Sequence, residues 1–569
     1  MGIDALVQSY VASSLHIPTF RYAGRFAAGL ELGDQLASFC LLLIMAGYVA
    51  QKPRLAKTFA GALVSLAAGG AVVQLLKYLI GRARPAMGLG EMNFIGPHFM
   101  PSGFDSFPSG HTTAMFSLLA FVCRFYPSWT IPLYVAGLAL SLLARVVTGQ
   151  HFLTDVIGGA ALGTLIGIGT AAYFRRTVEP PAASELPPAE VEVVDASPPR
   201  RFSALVEIAI VALYSGFVLL VGSGLDMNAA VLGVLTALTG YFLARQLSGR
   251  DTALYAALVL SSAFVFVNVS RTLPADTAWL FFTTLAFTYY AYAVAQGRSS
   301  IFFLALAYAS IALGILAKGW PALLPAPIFC LYEYLRDKPP LANFARRTLA
   351  RHGVFVALLL VALFPFLGAG LFASAQAGDF FLDEVAARTG LTRNAGRVLY
   401  YLPLTLLALF PWTFFAVACL AREGKRWSRD PRLRPETLLL MLWAAVVVGL
   451  FPFVAARSPH ALVLALPPLS CFVAGCVRRD RTLSPPGVRF ALLATLMTTA
   501  ALVVAGVVFY FLRPQYGTLK IAAPFAVLMA FLVSAWLLRH KEPPRGWFNP
   551  VALGALAFYL SAIAIALAG

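Results

Sequence analysis

The chain has 569 residues, of which 60% are hydrophobic and only 12% charged, with a formal net charge of +18. That composition excludes a soluble globular domain and a disordered tail, and repeated apolar runs of about twenty residues mark a polytopic helical membrane protein. The basic excess does not call for nucleic acid, because Lys and Arg gathered in short loops between apolar spans are what sets membrane topology.

In chain order, residues 1–33 carry Arg21 and Arg25 among Phe20, Tyr22 and Phe26, which suggests an interfacial helix or an imperfect span. No removable signal peptide is expected there. Apolar runs then predict spans near 34–50, 57–80, 111–126, 130–147 and 152–174. From Glu179 to Arg201 the chain is rich in proline and acidic residues, which predicts a solvated cytoplasmic linker over 176–201 between domains at 1–175 and 202–569. Thirteen further spans are expected, near 203–222, 228–246, 253–270, 277–296, 301–317, 320–335, 354–374, 401–420, 437–455, 461–477, 489–512, 521–538 and 550–568. The expected fold is all-α, with about eighteen transmembrane helices in two bundles. The six cysteines fall inside apolar segments without zinc or disulfide spacing and read as packing residues.

With these spans the Lys- and Arg-rich loops share one side, which the positive-inside rule makes cytoplasmic. Three strings fall at the opposite, outer rim: Lys77-x6-Arg84-Pro85, Pro108-Ser109-Gly110-His111 and Arg145-x5-His151-x3-Asp155. Charges at the ends of apolar spans are costly, and a cluster of them marks a function. Lys77, Arg84 and Arg145 suit phosphate oxygens, the guanidiniums as bidentate forks. Ser109 and Gly110 open a helix whose N–H groups and dipole favour an anion. His151 and Asp155 stand at helical spacing, so the carboxylate can hold one ring nitrogen and leave the other to attack phosphorus. His111, from another helix, can protonate the leaving group. The segment from Ala86 to Phe107, with Glu91, Phe94, His98, Phe99, Phe104 and Asp105, is expected to cover the site.

These strings resemble the signature motifs of the type 2 phosphatidic acid phosphatase superfamily, with Ala144 where that family carries serine before the arginine. The resemblance implies a helical core and a phosphohistidine on His151 with His111 as acid. It also implies lipid phosphates or diphosphates as substrates, and neither a metal nor another cofactor. Residues 202–569 resemble the GT-C membrane glycosyltransferases through Arg271-Thr272-Leu273-Pro274-Ala275-Asp276, Ala317-Lys318-Gly319-Trp320-Pro321, Tyr400-Tyr401-Leu402-Pro403 and Phe410-Pro411-Trp412. Only six residues, 222–227, stand where such enzymes carry a long catalytic outer loop, and Asp226 is the one carboxylate among them. Asp276, Asp379, Asp383 and Glu384 are the other candidate outer-face carboxylates, and Arg457-Ser458-Pro459-His460 replaces a lysine of the relatives.

The expected function is therefore a lipid phosphatase in a bacterial inner membrane, its site facing the periplasm. A polyprenyl or glycolipid ligand is expected in the second domain. The alternatives are a polyprenyl-phosphate-dependent glycosyltransferase with a fused phosphatase, and a lipid phosphotransferase.

Overall fold

The structure, a computed structural model, describes residues 2–14, 33–97, 103–178, 204–220, 226–295, 301–357, 405, 408–410, 412–427, 435–454 and 459–479. The chain divides into two compact units, Met1–Leu205 and Val206–Gly569. Among the described residues every regular element is helical, with one lone antiparallel bridge between Arg82 and Phe94. The protein is an all-α membrane protein. Six described helices are long and apolar enough to cross a bilayer, seven if one bent pair counts as a span. The expected number of eighteen is therefore not reached among the described residues. The expected linker from 179 on, Arg21 and Arg25, the carboxylates Asp379, Asp383 and Glu384, and the spans beyond 479 lie outside them.

In the first unit α1 (Ile3–Ser14) is followed by α2 (Gly33–Val49), α3 (Pro53–Ile80), α4 (Gly110–Phe125), α5 (Thr130–Ser141) and α6 (Leu153–Val178). Proline at the first position opens α3, where its missing N–H costs nothing. Gly81, with φ 62°, closes it in the left-handed conformation that glycine adopts freely. The apolar run of α4 ends where Tyr126 precedes Pro127.

α6 carries Gly159, Gly163 and Gly167 four residues apart, facing α4. A Cβ on them would stand 2.7 Å from the Ser109 carbonyl oxygen, 2.4 Å from that of Thr113 and 2.5 Å from that of Ser117. Small residues at this spacing let two membrane helices approach to backbone contact. A polar chain joins the third helix: Thr170 donates to Ser65 at 2.8 Å, and Ser65 to the Ser117 carbonyl at 2.9 Å. Phe121 fills the core beside Cys40, Ala62, Phe125 and Ala171. Cys40 and Cys123 are free and buried, as a packing role requires.

The second unit runs through α7 (Ala204–Leu220), α8 (Met227–Ser248), α9 (Arg250–Ser261), α10 (Phe264–Thr272), α11 (Pro274–Ala295), α12 (Ile301–Lys318), α13 (Pro325–Asp337), α14 (Leu341–Thr348), α15 (Thr413–Trp427), α16 (Pro435–Val454) and α17 (Leu466–Arg479). α11 is buried nearly all round, as an apolar helix without a polar face should be. Its Phe287 stacks on Trp443 at 3.8 Å and its Tyr290 on Phe329 at 3.9 Å. The single span expected at 253–270 is instead the pair α9 and α10, bent by 64°. The break is supported from outside: Phe264 N–H donates to the Phe410 carbonyl at 3.0 Å, and the Trp412 indole to Ser262 Oγ at 2.9 Å. Within the span expected at 401–420, the described residues show Phe410 in a turn and α15 starting at Thr413.

Candidate active site

The end of α3, the starts of α4 and α6, and the end of α5 meet at one end of the first unit, and each delivers one piece of the three strings. Lys77 stands in the last turn of α3, buried, and its carbonyl accepts the N–H of Gly81 at 3.0 Å. The left-handed turn at Gly81 sends the chain back across the bundle end, so Arg82 and Arg84 return to it. Arg84 donates through Nε and Nη2 to the two oxygens of Asp105, 2.7 Å each, and Lys77 Nζ lies 3.6 Å from Asp105 Oδ2. Burial pushes the Asp105 carboxyl up, but Arg84 and Lys77 outweigh it and hold it at about 2.

Arg145 sits in a π-helical turn, Leu142–Val146, that ends α5, and is only 4% exposed. Its Nη1 donates to Gln150 Oε1 at 2.9 Å, and its carbonyl accepts the N–H groups of Gln150 (3.0 Å) and His151 (3.1 Å). The buried Ala144 carbonyl accepts from Thr148 Oγ1 at 2.6 Å. These bonds fold residues 144–151 into a fixed loop that carries Arg145 and His151 together.

Ser109 precedes α4 in extended conformation and makes no side-chain cap; its Oγ accepts from Thr112 at 3.0 Å. Its N–H donates to the Asp155 carbonyl at 3.0 Å, tying the start of α4 to α6. A Cβ on Gly110 would lie 3.6 Å from Lys77 Nζ, so the ammonium stands against the helix start. The uncapped N–H groups of α4 and the adjacent cation suit an anion. His111, in the first turn, is within electrostatic range of Arg145, His151, Lys77 and Arg84.

His151 corrects one expectation. It does not lie on a helix with Asp155, because α6 begins two residues later, at Leu153. The pair is made across the helix start, His151 Nδ1 standing 3.5 Å from Asp155 Oδ2 and 3.5 Å from Ser106 Oγ. A carboxylate beside Nδ1 favours the tautomer protonated there and leaves the Nε2 lone pair free. Burial pulls the His151 imidazole below its ordinary value, against the opposing pull of Asp155.

Asp155 is fully buried and accepts from Arg82 Nη1 (2.5 Å), Ser106 Oγ (2.6 Å) and the Phe152 N–H (2.9 Å). Arg82 also donates to Thr154 Oγ1 (2.7 Å) and Asp4 Oδ2 (2.8 Å) and lies over the Phe152 ring at 4.5 Å. Asp4 accepts from the Thr154 backbone N–H at 3.0 Å and bonds the Thr154 hydroxyl as well. Gln8 Nε2 donates to the His151 carbonyl at 3.3 Å. Arg82, Ser106 and Asp4 do not stand out in the sequence, and the only signal is that Arg82 lies within the first string and Ser106 just before the second.

Of the segment expected to cover the site, Glu91 accepts from Arg82 Nε (3.0 Å) and Nη2 (2.8 Å) through its carbonyl and turns its carboxylate to α1. The carboxylate accepts from the N–H groups of Gly2 (2.9 Å) and Ala5 (2.7 Å) at the start of α1. Phe94 lies under the Arg82 guanidinium at 5.5 Å. His98 and Phe99 lie outside the described residues. Among the described residues no group of three or more His, Cys, Asp or Glu is placed to hold a metal ion.

In the second unit two of the quoted strings meet: Lys318 Nζ lies 2.9 Å from Asp276 Oδ1. Asp226 caps α8 by accepting the Ala229 N–H at 2.9 Å, and its own N–H donates to the Arg271 carbonyl at 2.7 Å. Both carboxylates thus have structural partners.

Residues 58–179 match the family model of the PAP2 superfamily, and residues 212–373 that of the dolichyl-phosphate-mannose-protein mannosyltransferases. A lipid A 1-phosphatase of Rhizobium etli is 31% identical over 174 residues, 27% of this chain and 74% of that protein. A lipid A 1-phosphatase of Rhizobium johnstonii is 36% identical over 109 residues, 19% of this chain and 44% of that protein. A protein of Aquifex aeolicus is 26% identical over 352 residues, 60% of this chain and 63% of its own length. The chain thus spans less than two thirds of both of these last two relatives. The crystal structure of ArnT from Cupriavidus metallidurans bound to undecaprenyl phosphate superposes with a TM-score of 0.46 at 21% identity, over 60% of this chain and 62% of that one.

The helical membrane fold and the three strings at one bundle end define a membrane-embedded phosphatase-like unit. The chain belongs to the PAP2 superfamily. Its second unit carries the mannosyltransferase match, in keeping with the GT-C resemblance of its motifs.

Proposed function

We propose that the first unit hydrolyses a lipid phosphate or diphosphate without a metal, through a phosphohistidine on His151. The observation that carries this reading is the placement of His151 Nδ1 against the buried Asp155 carboxylate, beside Lys77, Arg84 and Arg145. Nε2 of His151 attacks phosphorus as the bond to the lipid oxygen breaks, and His111 gives that oxygen its proton. Water then attacks phosphorus, giving a proton to His111 as the bond from phosphorus to His151 Nε2 breaks, and inorganic phosphate leaves with both histidines restored. Lys77, Arg84, Arg145 and the N–H groups at Ser109 and Gly110 neutralise the charge that gathers on the phosphoryl oxygens. The proposed location is a bacterial inner membrane with the site facing the periplasm. The relatives named as lipid A 1-phosphatases favour a glycolipid phosphate, with polyprenyl diphosphates and phospholipid phosphates as the other substrates of the same chemistry.

The second reading, a glycosyltransferase with a fused phosphatase, is favoured by the mannosyltransferase match over residues 212–373. The short 222–227 connection and the structural bonds of Asp226 and Asp276 weigh against transfer. The second unit is therefore proposed to bind a polyprenyl chain or glycolipid.

Phosphate release by the purified chain in detergent tests the phosphatase reading, using lipid A, undecaprenyl diphosphate, phosphatidic acid and phosphatidylglycerophosphate. Release should require His151, persist in excess EDTA, and fall by about two to four orders of magnitude in His111→Ala, most for poor leaving groups. Strict dependence on a divalent metal would sink the mechanism. Transfer of phosphate to another lipid with no release to water would replace hydrolysis by phosphotransfer.

A further inference from the structure

Nε and Nη2 of Arg84 form the edge of the guanidinium that grips a carboxylate or a phosphate with two parallel hydrogen bonds. Both are given to Asp105, at 2.7 Å each, and Lys77 turns to the same carboxylate from 3.6 Å. Asp105 belongs to none of the three strings. A phosphate gripped by that edge of Arg84 needs the same two donors, and a second anion so close to Asp105 is repelled by it.

The backbone around Asp105 is tethered on both sides. The Arg84 N–H donates to the Gly103 carbonyl at 2.8 Å, and the Ser106 N–H to the Arg82 carbonyl at 3.0 Å. The Asp105 side chain is itself 39% exposed. It can therefore rotate off Arg84 while Ser106 keeps its 2.6 Å bond to Asp155 and the setting of His151 is preserved.

We propose that Asp105 is a built-in competing anion of the phosphate clamp. It cancels one of the clamp's charges, yields Arg84 to the substrate phosphate, and takes it back as inorganic phosphate leaves. Asp105 thereby sets how much negative charge the clamp prefers and how tightly it retains product. This inference rests on the phosphatase reading of the first unit.

Two measurements on the full-length protein test it: inorganic phosphate binding by calorimetry, which needs no turnover, and KM for a lipid phosphate. Asp105→Asn should tighten phosphate binding and lower KM, each by about tenfold, through the removed repulsion. Asp105→Glu, which keeps the charge, should stay within about threefold of wild type. Asp105→Ser serves as the neutral variant if Asp105→Asn does not fold. Unchanged or weaker phosphate binding in the neutral variant, or equal tightening in Asp105→Glu, would overturn the proposal. Failure of the phosphatase reading is seen separately, as wild-type turnover that does not need His151.

Discussion

Arg82 and Asp155 are joined at 2.5 Å through Arg82 Nη1, and both are buried. This pair fixes the carboxylate that faces His151, while the other arm of Arg82 holds Asp4 at 2.8 Å and so draws α1 onto the site. A buried charge is tolerated only when its partners are complete, and removing one partner leaves the other stranded.

Arg82→Ala should therefore cost roughly 3 to 5 kcal/mol of stability and lower kcat by about a hundredfold, as loss of a group supporting an active-site ligand does. Arg82→Lys keeps the charge but loses the fork, and should recover part of the stability and less of the rate. Thermal midpoints and kcat for the two variants check this. An unchanged kcat in Arg82→Ala would show that Asp155 needs no such support.

Burial lowers the affinity of His151 for its proton, and the neutral ring is the nucleophile. Activity is thus present above the His151 pKa and lost below it, and the acid limb of kcat/KM should fall under the ordinary histidine value of about 6.5. Asp155 opposes that lowering, so Asp155→Asn should move the limb further toward acid. Comparing the two proteins on one substrate cancels the substrate's own ionisation. A limb that moves toward alkaline pH in Asp155→Asn would contradict the assignment.

A Cβ at Gly163 would stand 2.4 Å from the Thr113 carbonyl oxygen, which is backbone and cannot swing aside. Gly163→Val should push α4 away from α6, moving His111 relative to His151. Both thermal stability and phosphate release should fall sharply. Gly169→Ala meets nothing within 4 Å and should leave both within experimental error of wild type.

The chemistry of the site was legible because it is written in short spacings at the ends of apolar runs: Lys77 to Arg84, Ser109 to His111, and Arg145 to Asp155. What supports it was not. Arg82 looks in sequence like one more cation in a basic turn, and its partners Asp4 and Asp155 are 78 and 73 residues away. Ser106 carries no periodic signal, and only the fold sets it against Asp155. The His151–Asp155 spacing suggests one helix face, yet the Arg145 carbonyl captures the His151 N–H and delays the helix to Leu153. In the second unit the break between α9 and α10 falls inside an unbroken apolar run, because its backbone and hydroxyl groups find partners on Phe410 and Trp412.

The most direct measurement of the central claim is to quench the purified chain during turnover of a lipid carrying labelled phosphate, under alkaline conditions that preserve phosphohistidine, and map the label. The account predicts label on His151, none in His151→Ala, and more label in a variant slowed in its reaction with water. Turnover with label on another residue, or undiminished turnover in His151→Ala, would contradict it.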